Sequence, residues 1–412
     1  MRLVKCQAYR VSVVSRRDPF VIRVLYKSVK AGKIARQTTL SLKGETEVKM
    51  LPAILTRQSA VSLSIWLPQV DWSPWVNRMQ RVKHLWLEPG DLLELTQAYA
   101  LAEWAIYVSY RLMPALQPGH GPGAPYVYPD AVVLLTVVVM RIWRKGYESF
   151  TDWLAANERL ATSLGYTRRG PDGCLRTISA SQLWKRAHRL GLLPFFLFFV
   201  GLVWQLIRHG VITGQDLIID SSILKAWLHD DPDAKWSFHT RWRPSIFGYK
   251  IHTVLCNYFD LPVMFLVTPA NRNDCIWAIP LLVMTVGLYG FRVLVVRADA
   301  AYFTRKIVNF IVNVLHAIPL IDYNVRRRNR QLVDSSLLAA WNALMGPRSD
   351  IERHFAWAKR YFGLKYFQMG GLVRVWRYCC CTYIAMLAVA LAAARCGRLD
   401  LVRSRSKVLA WA

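Results

Sequence analysis

The chain has 412 residues, enough for two or three domains around a sizeable core, so it does not need the disulfide or metal staples that hold small proteins together. Its 54 Lys/Arg against 26 Asp/Glu give a formal net charge of +28, which predicts a preference for a polyanion, nucleic acid first and an anionic membrane surface second. The eight cysteines include no C-x-x-C pair and no Cys/His spacing suited to zinc, which argues against a zinc module and fits a reduced, cytoplasmic setting.

Residues 1–87 mix short β-like stretches (8–14 and 20–26) with basic loops and show no sustained helical period. Positions 1–83 carry 16 Lys/Arg against four acids, so a basic N-terminal segment of unassigned fold is expected; Met50 and Met79 offer later starts. A helical pattern over 88–116 ends in the Pro/Gly-rich run 117–125, which reads as a linker.

Residues 88–210 read as a helical region, with an apolar helix over 131–143, an amphipathic one over 149–161 and a third beginning near Thr177. Thr177 or Ser179 can cap the third, with Lys185, Arg186 and Arg189 on one side and Leu183, Ala187 and Leu190 toward the core. Such a helix can lie against DNA in the manner of a helix-turn-helix reader, or simply present a solvated basic face. Two apolar runs, 191–204 and 379–394, fall short of the roughly 20 residues that span a bilayer. The N-terminus has no sustained apolar signal core. Buried core helices and no membrane partner are expected, with the three consecutive residues Cys379, Cys380 and Cys381 serving as small buried apolar groups.

After residue 210 the texture changes. A short apolar strand over 217–220 ends in Asp220, strands over 248–256 and 263–268 are joined by a turn at 257–262, and strands over 293–297 and 318–321 alternate with helices over 303–316 and 348–362. A hairpin followed by strand–helix alternation predicts a mixed α/β sheet over 211–397, with a basic tail at 398–412.

Three acids stand where a sheet-based metal site needs them: Asp220 at one strand end, Asp299 just after another, and Glu352 on a helix. Their oxygens suit Mg²⁺ or Mn²⁺, and two such ions about 3.5–4 Å apart would activate an attacking oxygen and stabilise a leaving one. Singly, each acid has a plainer reading as a cap or a surface residue. Arg348, Glu352 and Lys359, spaced four and then seven residues apart, fall on one helical face, a pattern for gripping an ion together with its phosphodiester; an Arg/Glu surface pair is the alternative.

These residues resemble the DDE transposases of bacterial insertion sequences, within the insertion-sequence-four superfamily marked by R-x-x-x-E-x-x-x-x-x-x-K. Five ordered motifs carry the resemblance. Leu217-Ile218-Ile219-Asp220-Ser221-Ser222 is similar to the strand of the first catalytic Asp, and Gly248-Tyr249-Lys250-Ile251-His252 to the G-Y-K-x-H strand. Thr268 to Asp274 is similar to the T-P-A-N-x-x-D turn, Asp299-Ala300-Ala301-Tyr302 to the second Asp with its D-x-x-Y context, and Arg348, Glu352 and Lys359 to the signature helix. Met345 stands where the fuller pattern has a Tyr, so that residue's role does not carry over.

The resemblance implies an RNase H-like mixed-sheet catalytic domain preceded by a helical DNA-binding region. Asp220, Asp299 and Glu352 would ligate two Mg²⁺ or Mn²⁺ ions, and Arg348 and Lys359 would hold phosphates. It implies action on double-stranded DNA, at inverted-repeat ends and a target, by a homodimer in the nucleoid. Lys250 and His252 share one side of their strand and are expected to contact DNA or support the site, with a structural histidine as the alternative. Asp274 is expected to shape a turn or cap a helix. Arg326, Arg327 and Arg328 form a basic loop suited to phosphates, and Trp227, Trp236 and Trp242 either pack or stack on a displaced base. A nuclease without joining activity, a non-catalytic DNA-binding descendant and a membrane-surface protein are the rival readings.

Overall fold

A computed structural model of the chain describes residues 29–30, 33–34, 95–118, 127–238, 244–322, 344–365 and 367–409. The chain divides into two compact units, Met1–Val70 and Asp71–Ala412. In the first, Val29–Lys30 pairs antiparallel with Lys33–Ile34; the β-like stretches expected at 8–14 and 20–26 lie outside the described residues, as does most of the expected linker.

Five strands form the centre of the second unit: β1 (Asp216–Lys225), β2 (Phe247–Cys256), β3 (Leu261–Pro269), β4 (Val295–Ala298) and β5 (Ile318–Ile321). Their order is β3-β2-β1-β4-β5, with β2 antiparallel to β1 and β3, and with β4 and β5 parallel to β1. That order and polarity are those of an RNase H-like sheet. The two-residue strand Lys235–Trp236 joins the start of β2.

β2 and β3 are buried almost throughout on both faces, as central strands covered from two sides must be. Their turn passes through Asp260, whose φ of 55° lies in the left-handed region that Asp tolerates better than most residues. Gly248 is fixed by contact: a Cβ there would meet the Leu224 carbonyl oxygen of β1 at 2.0 Å. β1 is longer than its apolar run, because antiparallel pairing with β2 continues past Asp220 from Ser221↔His252 to Lys225↔Gly248. Asp220 therefore sits inside the strand, at the point where pairing with the shorter β4 stops.

Helices α1 (Leu95–Leu112), α2 (Asp130–Trp143), α3 (Tyr147–Ala156), α4 (Glu158–Ser163), α5 (Ala180–Leu190) and α6 (Leu193–Arg208) precede the sheet. The amphipathic stretch expected as one helix is two, broken at Asn157, whose amide donates to the Trp153 carbonyl and closes α3. Helices α7 (Asp274–Tyr289) and α8 (Arg305–Asn313) interleave with the strands, and α9 (Asp350–Tyr361), α10 (Leu372–Arg395) and α11 (Arg405–Leu409) follow them.

Ser179 caps α5 by accepting from the Gln182 amide, as its sequence position suggests. The basic face expected there is largely absent. Arg186 is buried and donates to Asp130 at 2.5 Å, and Arg189 binds the other oxygen of the same carboxylate, to which Tyr110 also donates. Lys185 alone of the three basic residues is exposed. Two guanidinium groups are drawn inward because Asp130, at the start of α2, would otherwise be an unpaired buried charge.

By length and composition α10 could cross a membrane, yet 94% of its apolar window is buried inside the protein. It is longer than its apolar run because Arg377 is accommodated on it, donating to the Ala187 carbonyl at 2.6 Å. It packs on α2, α6 and β3, and Phe265 of β3 makes edge contacts with Phe199 of α6 and Tyr383 of α10 at 5.1 and 5.0 Å. The helical region and the sheet thus share one core. Cys379, Cys380 and Cys381 lie in that core with burial pushing their thiols above the ordinary range, whereas Cys174 and Cys396 are exposed.

Candidate active site

Asp220 and Asp299 come together through the sheet. Parallel pairing of β1 with β4 ends at Ile219↔Ala298, so the residue that follows each of these partners is one of the two aspartates. Both are half-buried. The Asp220 carboxyl is pushed up to about 7, first by burial and then by the negative charges of Asp299 and Asp274; the Ser221 amide, donating to it at 2.7 Å, and Arg348 pull the other way. Asp299 also caps the turn Ala300–Tyr302 by accepting from the Ala301 amide at 2.6 Å.

Helix α9 lies over this end of β1 and is anchored along its length. At its entry, Arg297 of β4 binds Asp216 through two nitrogens and donates to the Leu344 carbonyl. In its middle, the buried His354 ring donates to the Asp260 carbonyl at 3.0 Å, and Arg353 reaches the Asp260 carboxylate at 3.4 Å. At its end, Arg141 and Arg144 of the α2 region donate to the carbonyls of Phe362 and Arg360, satisfying oxygens that a helix end leaves open. Lys359 donates to Ser222 at 2.7 Å, on the same side of β1 as Asp220, and Arg348 acts electrostatically on Asp220.

Glu352 does not join the aspartates. Its side chain is 66% exposed and turned to Arg348 at 3.8 Å, and among the described residues no group of three His, Cys, Asp or Glu is close enough to hold an ion. The Asp220–Asp299 pair nonetheless fits a divalent cation. It offers hard oxygens from two adjacent strands, and burial together with the negative charge of Asp299 disfavours ionisation of Asp220, which a cation would relieve.

Lys250 and His252 share a face of β2, as their spacing predicts, but that face is buried. Lys250 donates to the Arg272 carbonyl and sits 3.0 Å from Asp274, and His252 meets the Thr268 hydroxyl at 2.9 Å with its pKa pushed down to about 3 by burial. Direct DNA contact by either is thereby corrected to internal support, because α7 covers the strand. Asp274 is the first residue of α7, but Asn273 is its cap. What the sequence hides is that Asp274 accepts from Ser221, the neighbour of Asp220, at 2.8 Å and acts electrostatically on Asp220, and that the buried Tyr302 is within electrostatic reach of all three aspartates. Arg326, Arg327, Arg328 and Trp242 lie outside the described residues, and Trp227 and Trp236 are exposed.

Residues 213–387 match the family model described as a transposase DDE domain. The match spans β1 through most of α10 and takes in Asp220, Asp299 and Glu352. None of the curated proteins matches the chain. Among solved structures, a piggyBac transposase synaptic complex with hairpin DNA is 8% identical over 78% of this chain and 79% of that one, at a TM-score of 0.39. The Mos1 mariner paired-end complex with Mn is 13% identical over 76% of this chain and 99% of that one, at a TM-score of 0.18. Likenesses this remote leave the chemistry of residues 213–387 to be read from the residues themselves.

Proposed function

We propose that this chain is a transposase that hydrolyses phosphodiester bonds at the ends of an insertion sequence and joins the freed 3′-hydroxyl to target DNA. The observation that carries the reading is the side-by-side placement of Asp220 and Asp299 at the β1/β4 junction of an RNase H-like sheet, inside the stretch that matches a transposase DDE domain. Asp220 and Asp299 would hold Mg²⁺ or Mn²⁺, and Glu352, one turn beyond Arg348, would swing in from the exposed face of α9 to complete the set. Two such ions would supply a polarised water or 3′-hydroxyl and neutralise the departing oxygen. Arg348 and Lys359 would then trade Glu352 and Ser222 for DNA phosphates, in keeping with the insertion-sequence-four signature.

The remaining assignments follow from having two DNA ends to handle. The protein would act as a homodimer on double-stranded DNA in the bacterial nucleoid. Residues 88–210, with Lys185 exposed on α5, the basic segment 1–87 and the tail 398–412 would add phosphate contacts around the catalytic region 211–397. Purified protein incubated with paired inverted-repeat ends and Mg²⁺ or Mn²⁺ should cut and join them. Asp220→Asn, Asp299→Asn and Glu352→Gln should each lower the rate by at least about a thousandfold without unfolding the chain. Cutting by all three at the parental rate sinks the proposal; cutting without joining leaves a nuclease.

A further inference from the structure

Arginines from distant parts of the chain converge where α2 and α9 end. Arg144 closes α2 with φ 56°, in the left-handed region that residues other than glycine seldom adopt, and donates to the Arg360 carbonyl in the last turn of α9 at 3.0 Å. Arg405 of α11 donates through Nε to the carbonyl of Ile142, two residues before Arg144, at 2.7 Å. Arg360 itself is exposed, its guanidinium 5.4 Å from the centre of the Tyr361 ring. Carbonyl oxygens and a ring face thus hold these groups, and among the described residues none of the three pairs with a carboxylate. Nearby arginines are treated differently: Arg353 of α9 binds Asp260 and Asp350, and Arg403, two residues before Arg405, also binds Asp260. The carbonyls at a helix end carry only partial negative charge, so three full positive charges stay unneutralised at this junction. Burial, and then the charge of Arg144, pull Arg405 below the ordinary arginine range.

We infer that Arg144, Arg360 and Arg405 form a docking site for the phosphodiester backbone of double-stranded DNA at the end of α9. The inference rests on the reading of the chain as an enzyme that cuts DNA. Arg360 follows Lys359, whose ammonium donates to Ser222 on the Asp220 side of β1, so the arginines continue a basic surface that begins beside the two aspartates. A guanidinium has five N–H donors, and Arg144 and Arg405 each spend one on a carbonyl, which leaves donors and a full charge for phosphate oxygens. A cap and a phosphate contact are separable: losing a cap lowers stability, whereas losing a phosphate contact lowers the salt dependence of DNA binding.

The test is binding of the full chain to a short DNA duplex in EDTA, where no cutting occurs, read as the slope of log affinity against log salt concentration. Arg144→Gln, Arg360→Gln and Arg405→Gln should each make that slope shallower by about 0.9, and the triple variant by about three times as much. Arg353→Gln removes the same charge from an exposed position on α9 that carboxylates already neutralise, and its slope should match the parent's. A parental slope in the triple variant overturns the inference, and so does an equal loss in Arg353→Gln, which would reduce the effect to net charge. If Arg405→Gln fails to fold, the double variant of Arg144 and Arg360 decides, with about twice the single change expected and a parental slope overturning. Vesicles of phosphatidylglycerol are the competing surface: variants that lose vesicle binding while keeping the parental DNA slope also overturn the inference. The underlying reading fails separately, since a parent chain that does not bind the duplex removes DNA as the partner before any variant is compared.

Discussion

With its carboxyl pushed up to about 7, Asp220 keeps a proton in the folded, metal-free chain at pH values where the unfolded chain, with a carboxyl near 4, has released it. The folded state therefore binds the extra proton between about pH 4 and 7, and rising pH through that window costs the metal-free protein stability. A cation entering the pocket must expel that proton. Mn²⁺ affinity should accordingly rise up to about tenfold per pH unit below about 7 and flatten above it, with proton release detectable by calorimetry in buffers of different ionisation enthalpy. A flat profile from pH 5 to 8 would remove Asp220 as a ligand. The position of each aspartate was readable from the apolar strand before it, but their juxtaposition depends on which strands are neighbours. That depends on parallel pairing across 78 intervening residues, from Ile219 to Ala298, of which a local pattern carries no record.

At the scale of elements, strands and helices announce themselves by period, whereas the direction in which a charged side chain faces does not. The spacing of Lys250 and His252 correctly put them on one side of β2, and only the arrival of α7 decided that this side is interior. The same holds for α5. Its cap and its core stripe were legible, but Arg186 and Arg189 belong to Asp130, 56 and 59 residues earlier in the chain. Burial alone would raise the Asp130 pKa, and the hydrogen bonds from Tyr110, Arg189 and Arg186 outweigh it and hold it below the ordinary range. Asp130→Ala would strand the buried Arg186 and should cost about 3–5 kcal/mol in denaturant unfolding. A loss below about 1 kcal/mol would show that the guanidinium escapes to solvent. The anchors of α9 extend the same logic to the site, since Arg141 and Arg144 reach it from a helix that no motif had linked to catalysis.

For the molecule as a whole, the net charge of +28 has to find phosphates if the DNA reading is right. The logarithm of DNA affinity should fall linearly with that of salt concentration, with a slope of about −0.9 per phosphate contacted. A chain lacking residues 1–87 should give a shallower slope, because that stretch holds a large share of the basic excess. An identical slope would remove the N-terminal segment from the interface. The fold class was legible because a hairpin followed by strand–helix alternation leaves few sheet arrangements. The merging of the helical region with the sheet was not, because it depends on α10, which reads as a lone apolar stretch until α2 and α6 are seen on its flanks.

That burial of α10 gives the chain a built-in stopwatch. Cys379, Cys380 and Cys381 sit side by side where no solvent-borne reagent can reach them, while Cys174 and Cys396 lie in the open. A maleimide dye should modify the outer pair within the mixing time and the inner trio only as fast as the heart of the fold breathes, timing global opening against the fraying of any edge.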